Sequence, residues 1–402
     1  MRVLLSGYDS RGGVEPLVAL AVRLRARGAD VRVGAPPDEE FARRLAGVGV
    51  EMVPIGQAVR PLVTGAKPPT AKGLPERAAE LIAAQFAAGA DGCDAVVATG
   101  LVPAVAAARS VAELRGIPYL YATFQQLTLP TPHHPPRLTH AGRSLPPETD
   151  HRALWKLEAR NIDALFKTSL DTQRAAHGLA PVDSVLGYVL SDRPLLATDP
   201  VLDPWQETTD LDVVQTGAWI VPDDRPLSAD LEAFLRKGEP PVYAGFGSMP
   251  MRASQDAARV AVEAIRALGR RAVVAQGWAG LGHSDERDDC FVVGEVNHQA
   301  LFGRCAAVVH HGGAGTTTTA ARSGTPQVVV PQNGDQPYWA GRVAELGIGA
   351  AHDGPAPAVE SLSAALETAL AAQARAAAVA ATIRTDGADL AAKLVLDEIA
   401  TR

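Results

Sequence analysis

The chain has 402 residues, 47% of them hydrophobic, and a formal net charge of −7. This length is about twice that of a typical domain, so we expect two domains, each large enough to bury a core. The acidic balance, with no basic run to offset it, argues against a protein that binds nucleic acid. The three cysteines lie far apart and indicate a reducing cytoplasm rather than a disulfide framework.

The apolar runs of the sequence are short. The first, residues 1–7, is too short for a signal peptide, and no run reaches the roughly 18 apolar residues that suggest a membrane helix. We therefore predict a cytoplasmic protein without a membrane span.

Strand-like and helix-like segments alternate along the chain. We predict strands at 3–6, 31–35, 95–99, 242–246, 272–275, 306–310 and 328–331, and helices at 15–27, 41–48, 103–115 and 255–268. This alternation favours parallel sheets covered by helices on both faces. Each half opens with a strand, a glycine-containing turn and a helix. We therefore predict an α/β fold of two doubly wound, Rossmann-like domains that face each other across a cleft, where such sheets bind ligands.

The predicted domain plan has four parts. They are an N-terminal domain at 1–205, a linker rich in Pro, Asp and Thr at 206–224, a C-terminal domain at 225–380, and a terminal helical segment at 381–402. We expect the last segment to pack back toward the N-terminal domain, with a helix interruption at Gly387. Two proline-containing loops, 57–75 and 129–150, are predicted to be mobile binding loops or lids that are poorly ordered without a ligand.

The most informative stretch is His-Gly-Gly-Ala-Gly-Thr at 311–316. It follows a predicted buried strand and precedes residues 317–322, predicted as the first turns of a helix. Glycines allow close backbone approach, and the N–H groups and dipole of a helix N-terminus favour phosphate. The stretch is neither a Walker A loop nor a dinucleotide G-x-G-x-x-G motif. The alternative is a purely structural glycine turn with a capping histidine.

Almost from end to end, the sequence resembles the GT-B-fold glycosyltransferases, most closely those that decorate vancomycin-type glycopeptide antibiotics. The matching segments are 10–12, 14–16, 215–219, 245–248, 295–297, 311–316, 335–338 and 382–387. The resemblance implies an inverting, metal-independent transfer of a sugar from a UDP- or TDP-sugar, with no cofactor. The C-terminal domain would hold the nucleotide sugar, and the N-terminal domain a heptapeptide aglycone or pseudoaglycone acceptor.

On the donor side, the resemblance gives roles to single residues. It places His311 at the α-phosphate, and around the diphosphate it places the backbone N–H groups of Gly313, Ala314, Gly315 and Thr316. Ser248 would bind the β-phosphate or the base, or else simply cap the next helix. The segment at Val296 would read the pyrimidine base through its backbone.

Two further pairs of residues belong to this expected site. The resemblance gives Asp335 and Gln336 to the hydroxyls of the donor sugar, although Asp-Gln-Pro is also an ordinary helix start. Ser10 and Arg11 lie in the first turn of the N-terminal domain. Arg11 would supply positive charge near the leaving group, or else form a surface salt bridge.

The catalytic base is the departure from the family pattern. In the resembled family this base is an Asp, or a His in more distant relatives. The same position is filled here by Gly13, and glycine cannot accept a proton. Asp9 is our first candidate for the base and the loop residue His133 the second. The other candidates are Glu15, His134 and Asp150. A non-catalytic nucleotide-sugar-binding helper protein and a nucleotide-sugar epimerase remain alternative functions.

Overall fold

In the computed structural model, the described residues are 1–63, 73–136, 150–247, 256–276 and 287–401. The chain divides into two compact units. Unit 1 comprises Met1–Pro200, Pro204–Val221 and Arg384–Arg402, and unit 2 comprises Val201–Asp203 and Pro222–Ile383. None of the described helices is long and apolar enough to cross a membrane.

The described part of unit 1 contains a seven-stranded parallel sheet. Its strands are β1 Arg2–Tyr8, β2 Asp30–Ala35, β3 Glu51–Pro54, β4 Ala95–Gly100, β5 Tyr119–Thr123, β6 Leu195–Leu196 and β7 Val214–Gln215. The spatial order is β3-β2-β1-β4-β5-β6-β7. The order therefore reverses between β1 and β4, and ligands of such sheets bind beyond the carboxyl ends of the strands at this point.

Helices cover both faces of the unit 1 sheet. They are α1 Arg11–Ala26, α2 Glu39–Gly47, α3 Arg60–Val63, α4 Leu74–Ala88, α5 Val102–Arg115, α6 His151–Ala176 and α7 Val185–Val189, with a 3₁₀ turn at Gln126–Thr128. Leu4 of β1 and Val96 of β4 belong to one core cluster with residues of α4, α5 and α6. Leu17 and Leu20 of α1 are fully buried, and burial of one such side chain contributes roughly 1.5–3 kcal/mol.

Unit 2 repeats this plan with a six-stranded parallel sheet in its described part. Its strands are β8 Val242–Gly245, β9 Ala272–Ala275, β10 Cys290–Val293, β11 Ala307–His310, β12 Gln327–Val329 and β13 Gly349–Ala351. The order is β10-β9-β8-β11-β12-β13, so it reverses between β8 and β11. The prediction of two α/β domains built on parallel sheets is confirmed.

The helices of unit 2 alternate with its strands. They are α8 Ala229–Arg236, α9 Ala257–Ala267, α10 His298–Leu301, α11 Ala314–Arg322, α12 Gln336–Glu345, α13 Val359–Ala371 and α14 Gln373–Ala380, with a 3₁₀ turn at Phe302–Arg304. Alternate residues of β8 enter different core clusters: Val242 and Ala244 pack with α9 and α13, whereas Tyr243 packs with α8. Strand residues that are buried on both sides explain the continuous apolar runs of the sequence.

The last helix, α15, spans Gly387–Ala400, groups with unit 1 and packs against α1. Gly387 was expected to interrupt a helix, but it is the first residue of α15, and the break lies at 381–386. A β-carbon at Gly387 would overlap the backbone carbonyl of Gly217. The glycine therefore permits a close backbone approach rather than breaking a helix.

Several element boundaries differ from the sequence prediction, and two of the differences concern unit 1 and its connection. Helix α1 begins at Arg11 rather than at Glu15, because the carbonyl of Ser10 already accepts hydrogen bonds from the N–H groups of Gly13 and Val14, at 3.0 and 3.2 Å. Gly13 therefore lies in the first turn of a helix and not in the preceding loop. The expected linker at 206–224 is not a plain connection either, since it contains β7 at the edge of the unit 1 sheet.

Parts of both predicted binding loops, residues 64–72 and 137–149, lie outside the described residues. Their mobility stays a prediction.

Candidate functional site

The glycine-rich turn of unit 2 connects β11 to α11. Gly313 is the N-cap of α11, which begins at Ala314, three residues before the helix start expected from the sequence. The first intrahelical bond of the turn runs from the N–H of Thr317 to the carbonyl of Gly313, at 2.9 Å. The preceding N–H groups, of Ala314, Gly315 and Thr316, belong to the first helical turn, where N–H groups have no helical partner and the dipole favours an anion.

The ring of His311 lies between two glycines. A β-carbon at Gly313 would lie 2.8 Å from Nε2 of His311, and one at Gly247 would lie 3.1 Å from Cε1. Gly247 directly follows Phe246 after β8 and has a φ of +59°, which side chains disfavour. The turns after β8 and β11 thus meet at His311, on the two sides of the point where the strand order reverses.

His311 is electrically neutral at physiological pH. Burial lowers its pKa to about 4, and its Nδ1 is buried without a hydrogen-bond partner among the described residues. A neutral imidazole carries one N–H and one acceptor nitrogen. It can therefore donate one hydrogen bond to a phosphate oxygen, although it adds no formal charge.

His310, the last residue of β11, is fully buried and has two hydrogen-bond partners. Its Nδ1 accepts from the N–H of Gly312 at 3.1 Å, and its Nε2 donates to Oε1 of Gln327 at 2.8 Å. Burial lowers its pKa to about 3, with a smaller contribution from the neighbouring His311. The sequence analysis gave His310 no role. The signal was available, because a polar residue ends an apolar strand just before a turn that contains glycines.

Gly312 brings the start of α12 to the same edge. Its φ is +95°, and a β-carbon there would lie 2.7 Å from Cγ1 of Val329 and 3.2 Å from Cβ of Gln336. The turn after β11 and the segment that precedes α12 therefore pack directly on each other. This contact places Asp335 and Gln336 beside the glycine turn, as a shared donor site requires.

Asp335 and Gln336 are held by their own surroundings. Oδ2 of Asp335 accepts from Nε1 of Trp339 at 2.8 Å. Gln336 is 4% exposed, and its Oε1 accepts from the N–H groups of Gln332 and Asn333, at 2.7 and 3.2 Å. Gln336 thus shapes the loop before α12, a role that the sequence did not reveal, and its contact with a sugar stays a prediction.

Val296 lies in the segment that follows β10, an edge strand of the sheet. The next residue, Asn297, caps α10 by accepting from the N–H of Ala300, and its amide donates to the carbonyls of Asp223 and Arg225 at 2.7 and 2.8 Å. These bonds hold the backbone around Val296 in place. Ser248, the remaining donor-side residue, lies outside the described residues.

In unit 1, Ser10 is the N-cap of α1, although its side chain makes no capping bond. The guanidinium of Arg11 lies 3.3 Å from the carboxylate of Glu40 and 3.9 Å from that of Glu15. The salt bridge weighed in the sequence analysis is therefore present. A role of Arg11 at the diphosphate stays a prediction.

Gly13 and Asp9 share one space. A β-carbon at Gly13 would lie 2.5 Å from Cβ of Asp9 and 2.8 Å from its Oδ2. Asp9 is half-buried and directly follows Tyr8, the last residue of β1. The carboxylate of Asp9 therefore lies where a side chain at residue 13 would begin.

The other base candidates have different surroundings. Glu15 accepts from Nε of Arg44 at 2.9 and 3.2 Å. Asp150 caps α6 by accepting from the N–H of Arg152 at 2.9 Å. His133 is exposed and lies in the segment after β5. Strand β5 is two positions from β1 in the sheet, so these two strands are about 10 Å apart at the usual strand spacing. His134 contacts Trp155, whose Nε1 donates to its carbonyl at 3.0 Å.

The D-x-D sequence at 210–212 forms ion pairs: Asp210 pairs with Arg152 at 2.8 Å and Asp212 with Arg193 at 3.1 Å. Across the described ranges, no group of three or more His, Cys, Asp or Glu side chains is placed to hold a metal ion. Metal independence stays a prediction.

Family models match both halves of the chain. The glycosyltransferase family 28 N-terminal domain matches residues 3–129, and the erythromycin biosynthesis protein CIII-like C-terminal domain matches residues 282–400. The chain is 57% identical to glycosyltransferase GtfE of Amycolatopsis orientalis over 401 residues, covering 98% of this chain and 97% of that protein. It is 54% identical to the vancomycin aglycone glucosyltransferase of the same organism over 405 residues, covering 99% and 98%. The chain belongs to the glycopeptide antibiotic glycosyltransferases.

A further relative agrees with this assignment, and two solved structures share the fold. The dTDP-epi-vancosaminyltransferase of A. orientalis is 51% identical over 389 residues, covering 94% of this chain and 92% of that protein. Among solved structures, the glycosyltransferase of kitacinnamycin has a TM-score of 0.70 at 21% identity, covering 99% and 98% of the two chains. The calicheamicin glycosyltransferase CalG4 has a TM-score of 0.68 at 19% identity, also covering 99% and 98%. These likenesses show the GT-B fold.

Proposed function

We propose that this glycosyltransferase moves a sugar from a UDP- or TDP-sugar to a hydroxyl of a glycopeptide antibiotic aglycone or pseudoaglycone, with inversion and without a metal ion. Relatives support the two substrate classes. One at 54% identity is named for the vancomycin aglycone, and another at 51% identity is named for a dTDP-linked sugar. Both cover more than nine-tenths of this chain.

The observation that carries the proposal is the position of His311 between Gly247 and Gly313, at the N-terminus of α11. As the bond between the anomeric carbon and the diphosphate oxygen breaks, negative charge develops on the diphosphate. The N–H groups of the first turn of α11 and the N–H of the neutral imidazole are donors aimed at such a charge. Preorganised donors of this kind stabilise a leaving group without a cation.

The rest of the donor would extend from this point along the edge of the unit 2 sheet. Asp335 would accept hydrogen bonds from hydroxyls of the sugar, next to the turn that Gln336 holds. The backbone at Val296 would contact the base, beyond β10. Ser248 would complete the diphosphate contacts on this unit.

A transfer assay with mass-spectrometric detection tests the proposal. The protein is mixed with vancomycin and teicoplanin aglycones, or their monoglucosylated forms, and a panel of UDP- and TDP-sugars, with and without EDTA. We expect one product, heavier by one sugar, at the same rate in both buffers. His311→Ala is the matched variant, and its turnover should fall about a hundredfold or more, as for loss of one oxyanion donor.

The other outcomes identify the alternatives. Conversion of a nucleotide sugar into its epimer without acceptor would show an epimerase. Binding of UDP or TDP, with no product from any acceptor, would show a helper protein. Loss of turnover in EDTA that Mg²⁺ restores would overturn metal independence alone.

A further inference from the structure

We infer that Asp9 is the catalytic base of this glycosyltransferase, in place of a carboxylate carried by residue 13. The inference rests on the transfer reaction proposed above and names the residue that takes the proton of the acceptor. It is carried by the observation that the side chain of Asp9 lies where a side chain at residue 13 would begin.

The position of Asp9 in the fold is that of a ligand-facing residue. It directly follows β1, one of the two strands between which the order of the unit 1 sheet reverses. Ligands of parallel α/β sheets bind beyond the carboxyl ends of the strands at this point. Asp9 is half-buried.

The two carboxylate oxygens of Asp9 have different surroundings. Oδ1 accepts from the backbone N–H of Ser10 at 2.5 Å, which fixes the rotation of the side chain. Oδ2 is the oxygen that lies 2.8 Å from the β-carbon position of Gly13. A carboxylate on residue 13 would extend from this β-carbon, so Oδ2 of Asp9 lies beside the point where such a side chain would begin.

Neighbouring carboxylates are held by other groups. Glu15, one turn further along α1, accepts from Arg44 at 2.9 Å. Glu40 pairs with Arg11 at 3.3 Å. Asp38, which follows β2, is 6% exposed and accepts from two backbone N–H groups at 2.7 and 2.9 Å. The three heavy atoms nearest to the β-carbon position of Gly13 all belong to Asp9.

The chemical step is balanced as follows. Oδ2 of Asp9 accepts the proton of the acceptor hydroxyl while the hydroxyl oxygen forms a bond to the anomeric carbon. The bond from that carbon to the diphosphate oxygen breaks, and the nucleoside diphosphate leaves with the electron pair. The protonated carboxyl of Asp9 then releases its proton to water.

Asp9 and Gly13 also depend on each other. With Asp9 present, any side chain at residue 13 would overlap its Cβ and Cγ, at 2.5 and 2.8 Å. The substitution Gly13→Asp alone would therefore force two carboxylates into one space, with steric overlap and like-charge repulsion. The paired substitution Asp9→Gly with Gly13→Asp removes the overlap and keeps one carboxylate at the same point.

Five variants test the inference in the transfer assay. Asp9→Asn keeps an oxygen for the N–H of Ser10 but is no base, so we expect kcat to fall about a hundredfold or more while affinity for TDP or UDP is unchanged. Asp9→Gly should lose turnover similarly. The paired variant Asp9→Gly/Gly13→Asp should regain at least about tenfold over Asp9→Gly, within the range that a general base contributes. Glu15→Gln tests the competing candidate on α1. The matched control is Asp91→Asn, which changes an exposed carboxylate of unit 1 and is expected to stay within a few-fold of the natural protein.

The outcomes separate this inference from the proposed function. A folded Asp9→Asn protein with the turnover of the natural protein would overturn the role of Asp9 alone. A large loss in Glu15→Gln with little loss in Asp9→Asn would assign the base to Glu15. Failure of the natural protein to form any product, with nucleotide bound, would overturn the transfer reaction itself.

Discussion

Nδ1 of His310 accepts a hydrogen bond from the backbone N–H of Gly312, 3.1 Å away. A fully buried residue of β11 thus holds the turn that leads to the N-terminus of α11. Nε2 of the same ring donates to Gln327 on the neighbouring strand, and the amide of Gln327 donates to the carbonyl of Thr317 at 3.2 Å. The geometry of the glycine turn is therefore set by fully buried side chains behind it.

Replacement of His310 by Leu should lower both stability and nucleotide affinity. It leaves the N–H of Gly312 and Oε1 of Gln327 without their partner, and each buried unsatisfied group costs about 1–3 kcal/mol. Thermal unfolding and TDP titration measure the two effects. Leu366 is a fully buried residue of α13 and serves as the control. Leu366→Ala should lower the free energy of unfolding by about 2–5 kcal/mol without changing the affinity of the folded protein for TDP. Unchanged TDP affinity in His310→Leu would refute the supporting role.

Acidification should destabilise unit 2 through the same histidine. The pKa of His310 is lowered from 6.5 to about 3 in the folded protein, so below pH 6.5 the unfolded chain binds the proton that the folded chain excludes. The stability that the folded chain gains by keeping His310 neutral is fully present above pH 6.5 and is lost as the pH falls toward 3. The loss from His310 is on the order of 3 kcal/mol by pH 4. The free energy of unfolding, measured with denaturant at several pH values between 4 and 7, should depend less steeply on pH in His310→Leu than in the natural protein. An equal pH dependence in the two proteins would contradict the prediction.

Substitution of Gly315 by alanine should weaken TDP binding without lowering the stability of the protein. No described atom lies within 4 Å of a β-carbon built at Gly315 or at Gly341, and both glycines are exposed on helices. Alanine at either position should leave stability unchanged or raise it by up to about 1 kcal/mol. Only Gly315→Ala should weaken TDP binding, because its methyl group would meet a ligand on the first turn of α11. If both variants bind TDP as the natural protein does, that turn does not hold the diphosphate.

Two substitutions of Asp335 should distinguish its hydrogen bond to Trp339 from its predicted contact with the donor sugar. Asp335→Asn keeps an oxygen for Nε1 of Trp339, so its melting temperature should match that of the natural protein, whereas Asp335→Ala loses this partly buried hydrogen bond. Hydrogen bonds to charged groups contribute about 1.5–3 kcal/mol, so kcat/KM for the donor sugar should fall about 10- to 100-fold in Asp335→Asn. Steady-state kinetics with varied donor measure this. Full activity in a folded Asp335→Asn protein would remove Asp335 from the sugar site.

Much of the fold was predictable because its signals are local. Apolar runs of strand length and helical stretches indicated the parallel sheets, and the pattern around 311–316 indicated a glycine turn between a strand and a helix. The starts of α1 and α11 were placed too late, because glycines near a helix N-terminus look like loop in the sequence. Here Gly12, Gly13 and Gly315 lie inside the first turn.

The sequence alone was sufficient to identify the family, the doubly wound architecture and the glycine turn at 311–316, since each depends on short motifs or on periodicity. Only the tertiary structure showed that Asp9 fills the space at Gly13, that His310 holds Gly312, and that Gly247 and His311 meet. The reason is physical. These relationships depend on side-chain direction and on which strand ends are neighbours in the sheets, and spacing along the chain encodes neither.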